Sequence, residues 1–232
     1  MAEEKIFRWI HVSDLHIGHN NYIENAMRKE LPDLLKKISE EKAIHGLFIT
    51  GDLVYAPQYK DQTDNLNKEV KNNIKNQIQT LQKAIKVDKS STYIAIGNHD
   101  VMRTIDKNNS ILELSKNYRS EEGIINERDK GVIYNAESRF GDLYYTVLKR
   151  RFNKGHYLDR RRNDLEIFHI DTTISAEAYS DEAKKSSIYQ DGQLIIGTKM
   201  LTEALREHKQ SCPVIAIGHH PLTALQEHER VL

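Results

Sequence analysis

Four short apolar runs in this chain each end, within a few residues, in side chains that can ligate a metal ion. Residues 6–12 (IFRWIHV) lead into Asp14 and His16, and residues 46–50 (GLFIT) lead into Gly51-Asp52. Residues 92–96 (TYIAI) lead into Gly97-Asn98-His99-Asp100, and residues 213–217 (PVIAI) into Gly218-His219-His220-Pro221. Such runs, rich in isoleucine and bounded by glycine and polar residues, read as buried strands. Segments of helical periodicity separate most of them, which predicts an α/β fold. In sheets wound this way, ligands sit beyond the carboxyl ends of the strands, so the four loops can converge on one spot. Taken alone, each motif has a plainer explanation. Gly and Asn are turn residues, and Ser13 and Asp14 are good helix caps. Four of them in this order and context outweigh that explanation.

The chemistry of the donors narrows the function. Asp14 and His16 are two residues apart, so in an extended segment both point the same way and offer one ion an oxygen and a nitrogen. Asp52 is again a carboxylate just past a strand end. Asn98 is a weak neutral ligand, and His99 is the usual kind of proton donor near neutral pH. A set of Asp, His, Asp, Asn and His suits manganese, iron or zinc better than calcium. A carboxylate shared by two metals holds them about 3.5–4 Å apart, the spacing used for attack on phosphoesters. His11 and His169 lie inside strand runs and read as structural.

The rest of the chain reads as scaffold. Residues 22–43 form a helix with Met27, Leu31, Leu34, Leu35 and Ile38 on one face. Pro32 suits a first helical turn, so its firm part is expected to start there. Residues 64–87 carry the clearest helical stripe, Leu66, Val70, Ile74, Ile78, Leu81 and Ile85, which predicts a core-facing helix. Residues 102–164 are the least readable, with a short helix around 111–114 and another over 136–152. Residues 149–162 hold seven Lys or Arg against one acid, Asp159, with Phe152 and Tyr157 interleaved and Tyr144 and Tyr145 just before. Basic side chains with aromatics can hold phosphates and stack bases, which makes Arg160, Arg161 and Arg162 candidates for substrate binding. A solvated helix face and hairpin is the favoured reading of this stretch, because charge runs are usually surface. Residues 165–170 form a further strand followed by Asp171-Thr172-Thr173. A helix opening at Asp191-Gly192-Gln193 carries Leu194, Leu201, Ala204, Leu205 and His208.

Composition excludes some alternatives. The 232 residues suffice for one large domain. Lys plus Arg and Asp plus Glu are both 34, so no global field favours nucleic acid or an acidic membrane. The acidic start is no signal peptide, and no apolar stretch is long enough to cross a membrane. Cys212 is the single cysteine, which leaves no internal disulfide and no Cys-based zinc cluster and suits the cytoplasm.

Asp14-x-His16, Gly51-Asp52, Gly97-Asn98-His99-Asp100 and Gly218-His219-His220-Pro221 together resemble the calcineurin-like metallophosphoesterase family, from residue 6 to about residue 223. The resemblance implies a four-layer α-β-β-α sandwich with a dinuclear metal centre. By that match Asp14 and His16 hold the first metal, Asp52 bridges both, and Asn98 and His219 hold the second. His220 would line the pocket. His99 would not bind metal but would stabilise the phosphoryl oxygens or protonate the leaving group, with Asp100 orienting it. The implied activity is metal-dependent phosphoester hydrolysis, most simply of a diester, by a hydroxide on two divalent ions, with manganese ahead of iron or zinc. Substrates would be phosphoesters such as nucleotides or nucleic acid, with no membrane partner. One departure stands out. The family's last Gly-His-x-His motif is missing, and His228 lacks its context. The expectation is therefore a metallophosphoesterase domain over residues 1–232, incomplete on its C-terminal side, with an atypical insertion at about 102–164 and a further segment beyond. Missing ligands would leave this chain weakly active or inactive by itself. The alternative is a non-catalytic module of the same fold that serves regulation or partner binding in a larger protein.

Overall fold

The computed structural model describes residues 6–18, 22–54, 68–100, 132–173, 196–209 and 212–225. The sequence places a five-residue apolar run at its centre, and that run becomes the middle strand of a sheet. Strands β1 (Trp9–Val12), β2 (Gly46–Thr50) and β3 (Thr92–Ala95) lie in that order and are all parallel. Side chains alternate across a strand, and here both faces are buried. Leu47 and Ile49, with Ile94 and Ile96, face the helices α1 (Tyr22–Glu41), α2 (Lys68–Ala84) and α3 (Val132–Leu148). Phe48, Tyr93 and Ala95 face the opposite way, against Leu165, Ile167 and Ile217 of a second sheet.

That second sheet has the order β4 (Tyr157–Asp159), β5 (Glu166–His169), β6 (Val214–Ile217). β4 runs antiparallel to β5, and β6 runs parallel to it. Its outer face packs through Phe168 on Leu201 of α4 (Thr198–Leu205), with Ile196 and Leu225. The order of layers is thus helices, sheet, sheet, helix, as the family resemblance implies. The stripe of α2 supplies the first core with Ile74, Ile78 and Leu81, followed by Ile85 just past the helix. Each such side chain stabilises the fold by about 1.5–3 kcal/mol on burial.

Four details differ from the sequence reading. Pro32 lies inside α1, not in its first turn, although a proline there forfeits one backbone hydrogen bond. Leu34 and Ile38 are exposed, while Leu31 and Leu35 face the core, so the expected apolar face of α1 is split. The helix expected over 136–152 is α3 and ends at Leu148, because Lys149 takes a left-handed conformation. Tyr144 and Phe152 are core residues, with Phe152 edge-on to Phe140 and Tyr144 tilted against both, while Tyr145 is exposed under Lys149. The segment around 111–114, Leu66, residues 191–195 and His228 fall outside the described residues. Among the described residues no helix is long and apolar enough to cross a membrane.

Candidate metal centre

The carboxyl ends of β1, β2, β3 and β6 bring the sequence motifs together. After β1 the chain stays alongside the loop that follows β2. The amide of Asp14 donates to Gly51 O at 3.3 Å, His16 N to Asp52 O at 2.9 Å and Ile17 N to Leu53 O at 2.9 Å. Within these loops Asp14, His16 and Asp52 all have positive φ, at 55°, 41° and 50°. Non-glycine residues rarely adopt that region, and each such residue costs on the order of 1–3 kcal/mol. Three of them in one place mark a constellation that the surrounding packing enforces.

Two glycines allow the loops to meet. Gly51 has φ 83°, and a Cβ there would strike the ring of His219. A Cβ on Gly97 would collide with the backbone nitrogen and the carboxylate of Asp52. Only glycine permits this approach.

Asp52 is the centre of the group. Its side chain is 4% exposed. One oxygen, Oδ1, accepts the amide of His99 at 2.9 Å. The other, Oδ2, faces three imidazoles: His219 Nε2 at 3.4 Å, His16 Nε2 at 3.8 Å and His99 Nε2 at 3.9 Å. Asp14 Oδ1 lies 3.8 Å from His16 Nε2, and Ser13 Oγ donates to the other oxygen of Asp14. Asn98 Oδ1 is 3.0 Å from His219 Nε2. Two sets of donor atoms, His16/Asp52/His99 and Asp14/Asp52/His219, each lie within 4.8 Å of one another, and Asp52 belongs to both. Close-set carboxylate oxygens and imidazole nitrogens, with Asn98 alongside, fit a divalent transition ion. The residues present therefore suit the metals that the sequence implies.

Electrostatics follow from this crowding. Burial pushes Asp52 up, but the hydrogen bond and charge of His219, helped by His99, outweigh it and leave the carboxyl below its ordinary range. Burial draws His219 down, yet Asp52 raises it to about 9. His99 is lowered, by burial first and then by His16 and His219, against the pull of Asp52. Burial and the charge of His219 take His220 down to about 4.

Asp14, His16, Asp52, Asn98, His99, His219 and His220 are thus brought together. His99 sits closer to the donor set than a purely catalytic role requires, since its Nε2 belongs to one of the two clusters. Asp100 is placed behind the site and not in it. It is fully buried, its Oδ1 accepts Val54 N at 3.1 Å and its Oδ2 accepts Gly97 N at 2.9 Å. Its carboxyl, raised to about 7 by burial and by Asp52, ties the β2 loop to the β3 loop.

Arg160, Arg161 and Arg162 are not brought to the site. They follow β4 and lie at the amino ends of the parallel strands. Arg160 bonds Glu166 at 3.0 Å and Glu207 at 3.2 Å. Arg161 bonds Asp159 at 2.7 Å and Ser90 O at 2.6 Å, with its guanidinium 4.2 Å from the centre of the Tyr93 ring. Arg162 bonds Asp164 at 3.0 Å and covers Phe7. Their substrate-binding assignment fails on placement, because the fold itself uses their charges. His169 is a core histidine, 3% exposed, stacked on Tyr157 at 4.3 Å and lowered to about 3 chiefly by burial.

Sequence reasoning overlooked two threonines. Thr50 O accepts Ser13 Oγ at 3.1 Å and faces His219 Nδ1 at 2.8 Å. Thr172 Oγ1 gathers the amides of His219 and His220. Both threonines stand at strand ends, beside the motifs, which was the available signal.

Comparison with known proteins agrees with this geometry. The family described as calcineurin-like phosphoesterase matches residues 7–231. A Bacillus subtilis (strain 168) protein named "Uncharacterized metallophosphoesterase-like protein YydB" is 23% identical over 232 aligned residues. The alignment covers 96% of this chain and 44% of that protein, so the chain spans less than half the length of this curated relative.

Proposed function

Because the chain belongs to the calcineurin-like phosphoesterase family, we propose that its site hydrolyses phosphodiesters on two divalent metal ions, manganese first among them. The observation that supports this is the convergence of three imidazoles on Asp52 Oδ2 while Oδ1 is fixed by the His99 amide. A carboxylate anchored at one oxygen and open at the other can be shared between two ions.

Asp14, His16 and Asp52 would hold one ion, and Asp52, Asn98 and His219 the other. Bound ions of this kind neutralise phosphoryl charge and lower the pKa of water toward neutrality. The protein residues do the rest. Asp52 and the two loop glycines set the spacing of the ligands. Asp100 keeps the β2 and β3 loops in register through its two backbone bonds. His99 stands beside the donor set, half-buried, and the neutral ring that burial favours can donate a hydrogen bond to a phosphoryl oxygen. The lone Cys212 favours a cytoplasmic setting.

The test is manganese-dependent hydrolysis of bis-p-nitrophenyl phosphate, against the monoester, by the full-length protein. Asp52→Ala and Asn98→Ala are expected to abolish it. His99→Ala is expected to keep bound metal and lose rate. Activity unchanged by Asp52→Ala would refute the proposal, and a metal-free, inactive full-length protein would favour a regulatory module.

A further inference from the structure

His219 and His220 are sequence neighbours whose rings meet edge to face, 4.7 Å between centres. The fold nevertheless treats them oppositely. His219 Nδ1 lies 2.8 Å from Thr50 O, and a carbonyl only accepts. Nδ1 therefore carries a hydrogen, and in the neutral ring Nε2 keeps its lone pair on the side of Asp52 and Asn98.

His220 Nδ1 lies 3.0 Å from Thr172 Oγ1. The same hydroxyl accepts the amides of His219 at 3.3 Å and of His220 at 3.0 Å. A hydroxyl has two lone pairs and one hydrogen. With both lone pairs used, the hydrogen points at His220 Nδ1, which must then be the acceptor. The ring hydrogen is left on Nε2. Among the described residues no group takes that Nε2, and it is not one of the enclosed atoms. Thr172 itself is 4% exposed, on the loop that leaves β5.

We propose that Thr172 is a positioning residue. Its hydroxyl locks His220 in the Nε2–H form, so that His220 offers a hydrogen-bond donor to a non-bridging oxygen of the bound phosphoryl group. The opposite tautomer would present a lone pair to that oxygen and repel it. The substrate half of this inference rests on the phosphoester reading above; the tautomer half rests on Thr172 alone.

The experiment is ¹⁵N-histidine NMR of the full-length, zinc-loaded protein, with His220 assigned through His220→Gln. His220 is expected to show a bare Nδ1 and a protonated Nε2. Thr172→Ser keeps that pattern and keeps kcat/KM within about twofold. Thr172→Val moves the hydrogen or yields a mixture, and lowers kcat/KM on a diester by about tenfold or more, the worth of one bond to a charged oxygen. A hydrogen on Nδ1 in the wild type would overturn the proposal even if Thr172→Val failed to fold. So would an unchanged tautomer in Thr172→Val. A correct tautomer in a protein that hydrolyses no phosphoester with manganese would overturn the role of His220 together with the reading beneath it. A wrong tautomer with intact hydrolysis would overturn this proposal alone.

Discussion

The two ends of the strands hold charge in contrasting ways. At the amino ends Arg160, Arg161 and Arg162 each meet a carboxylate at 2.7–3.0 Å, and two of them also lie over aromatic rings. At the carboxyl ends Asp52 Oδ2 meets three imidazoles at 3.4–3.9 Å, at or beyond the range of a hydrogen bond. The first end is a set of closed pairs that fastens loops to the sandwich. The second gathers three imidazoles around one carboxylate oxygen at longer range, with the short contact at 3.0 Å between His219 Nε2 and Asn98 Oδ1, on backbone that is strained at three positions. Charge that completes the fold and charge left open to a ligand thus differ in geometry, not in residue type.

The largest effect is expected at the carboxyl end. Gly97→Ala puts a methyl group against the backbone of Asp52. Displacing the Asn98 loop should lower metal-dependent kcat on the order of 100-fold or more, since small misplacements at a reacting centre cost that much. Kinetics together with a thermal melt will separate this from simple unfolding. A Gly97→Ala protein with wild-type kcat would show that the loops need not touch.

A change at the amino end should do the reverse. Arg160→Ala leaves Glu166, only 2% exposed in its side chain, with His208 and the Lys209 amide alone. A lower denaturation midpoint is expected. KM for a diester should stay within about twofold. A large rise in KM with unchanged stability would return these arginines to substrate binding.

A subtler contrast is in pH. His219 titrates at about 9 in the folded protein against an ordinary 6.5, because Asp52 favours its charged form although burial opposes it. A raised folded value means that the pair stabilises metal-free protein fully below pH 6.5 and loses that contribution as pH climbs through about 9. Metal needs the same Nε2 without its proton. Apparent metal affinity should therefore rise by up to about tenfold per pH unit up to about 9. Titrations of metal binding and melting between neutral pH and pH 10 will show both, and Asp52→Asn should flatten the stability change.

These contrasts also explain what the sequence could disclose. Asp14, His16, Asp52, Asn98 and His219 were legible because each follows an apolar run, and strand ends are where such folds gather ligands. The stripe from Ile74 to Ile85 was legible because helix packing imposes its period. β4 was legible only as part of the hairpin expected within residues 149–162, since three residues in a basic stretch carry no period to set its bounds. The arginines misled for a similar reason. Arg160 finds Glu207 across 47 residues, and Arg161 finds Ser90 across 71. Asp100 belonged to the motif but turned inward to bond Val54 N, 46 residues away. Thr172 acts through one hydroxyl whose partners are set only when β5 and β6 pair.

The central claim is that Asp52 is shared between two ions. Its most direct test is the manganese stoichiometry of the full-length protein by equilibrium binding, for the wild type and Asp52→Ala. About two ions per chain are expected in the wild type, with Asp52→Ala weakened at both sites together. Asp52→Ala that weakens one site and leaves the other at wild-type affinity would contradict a shared carboxylate.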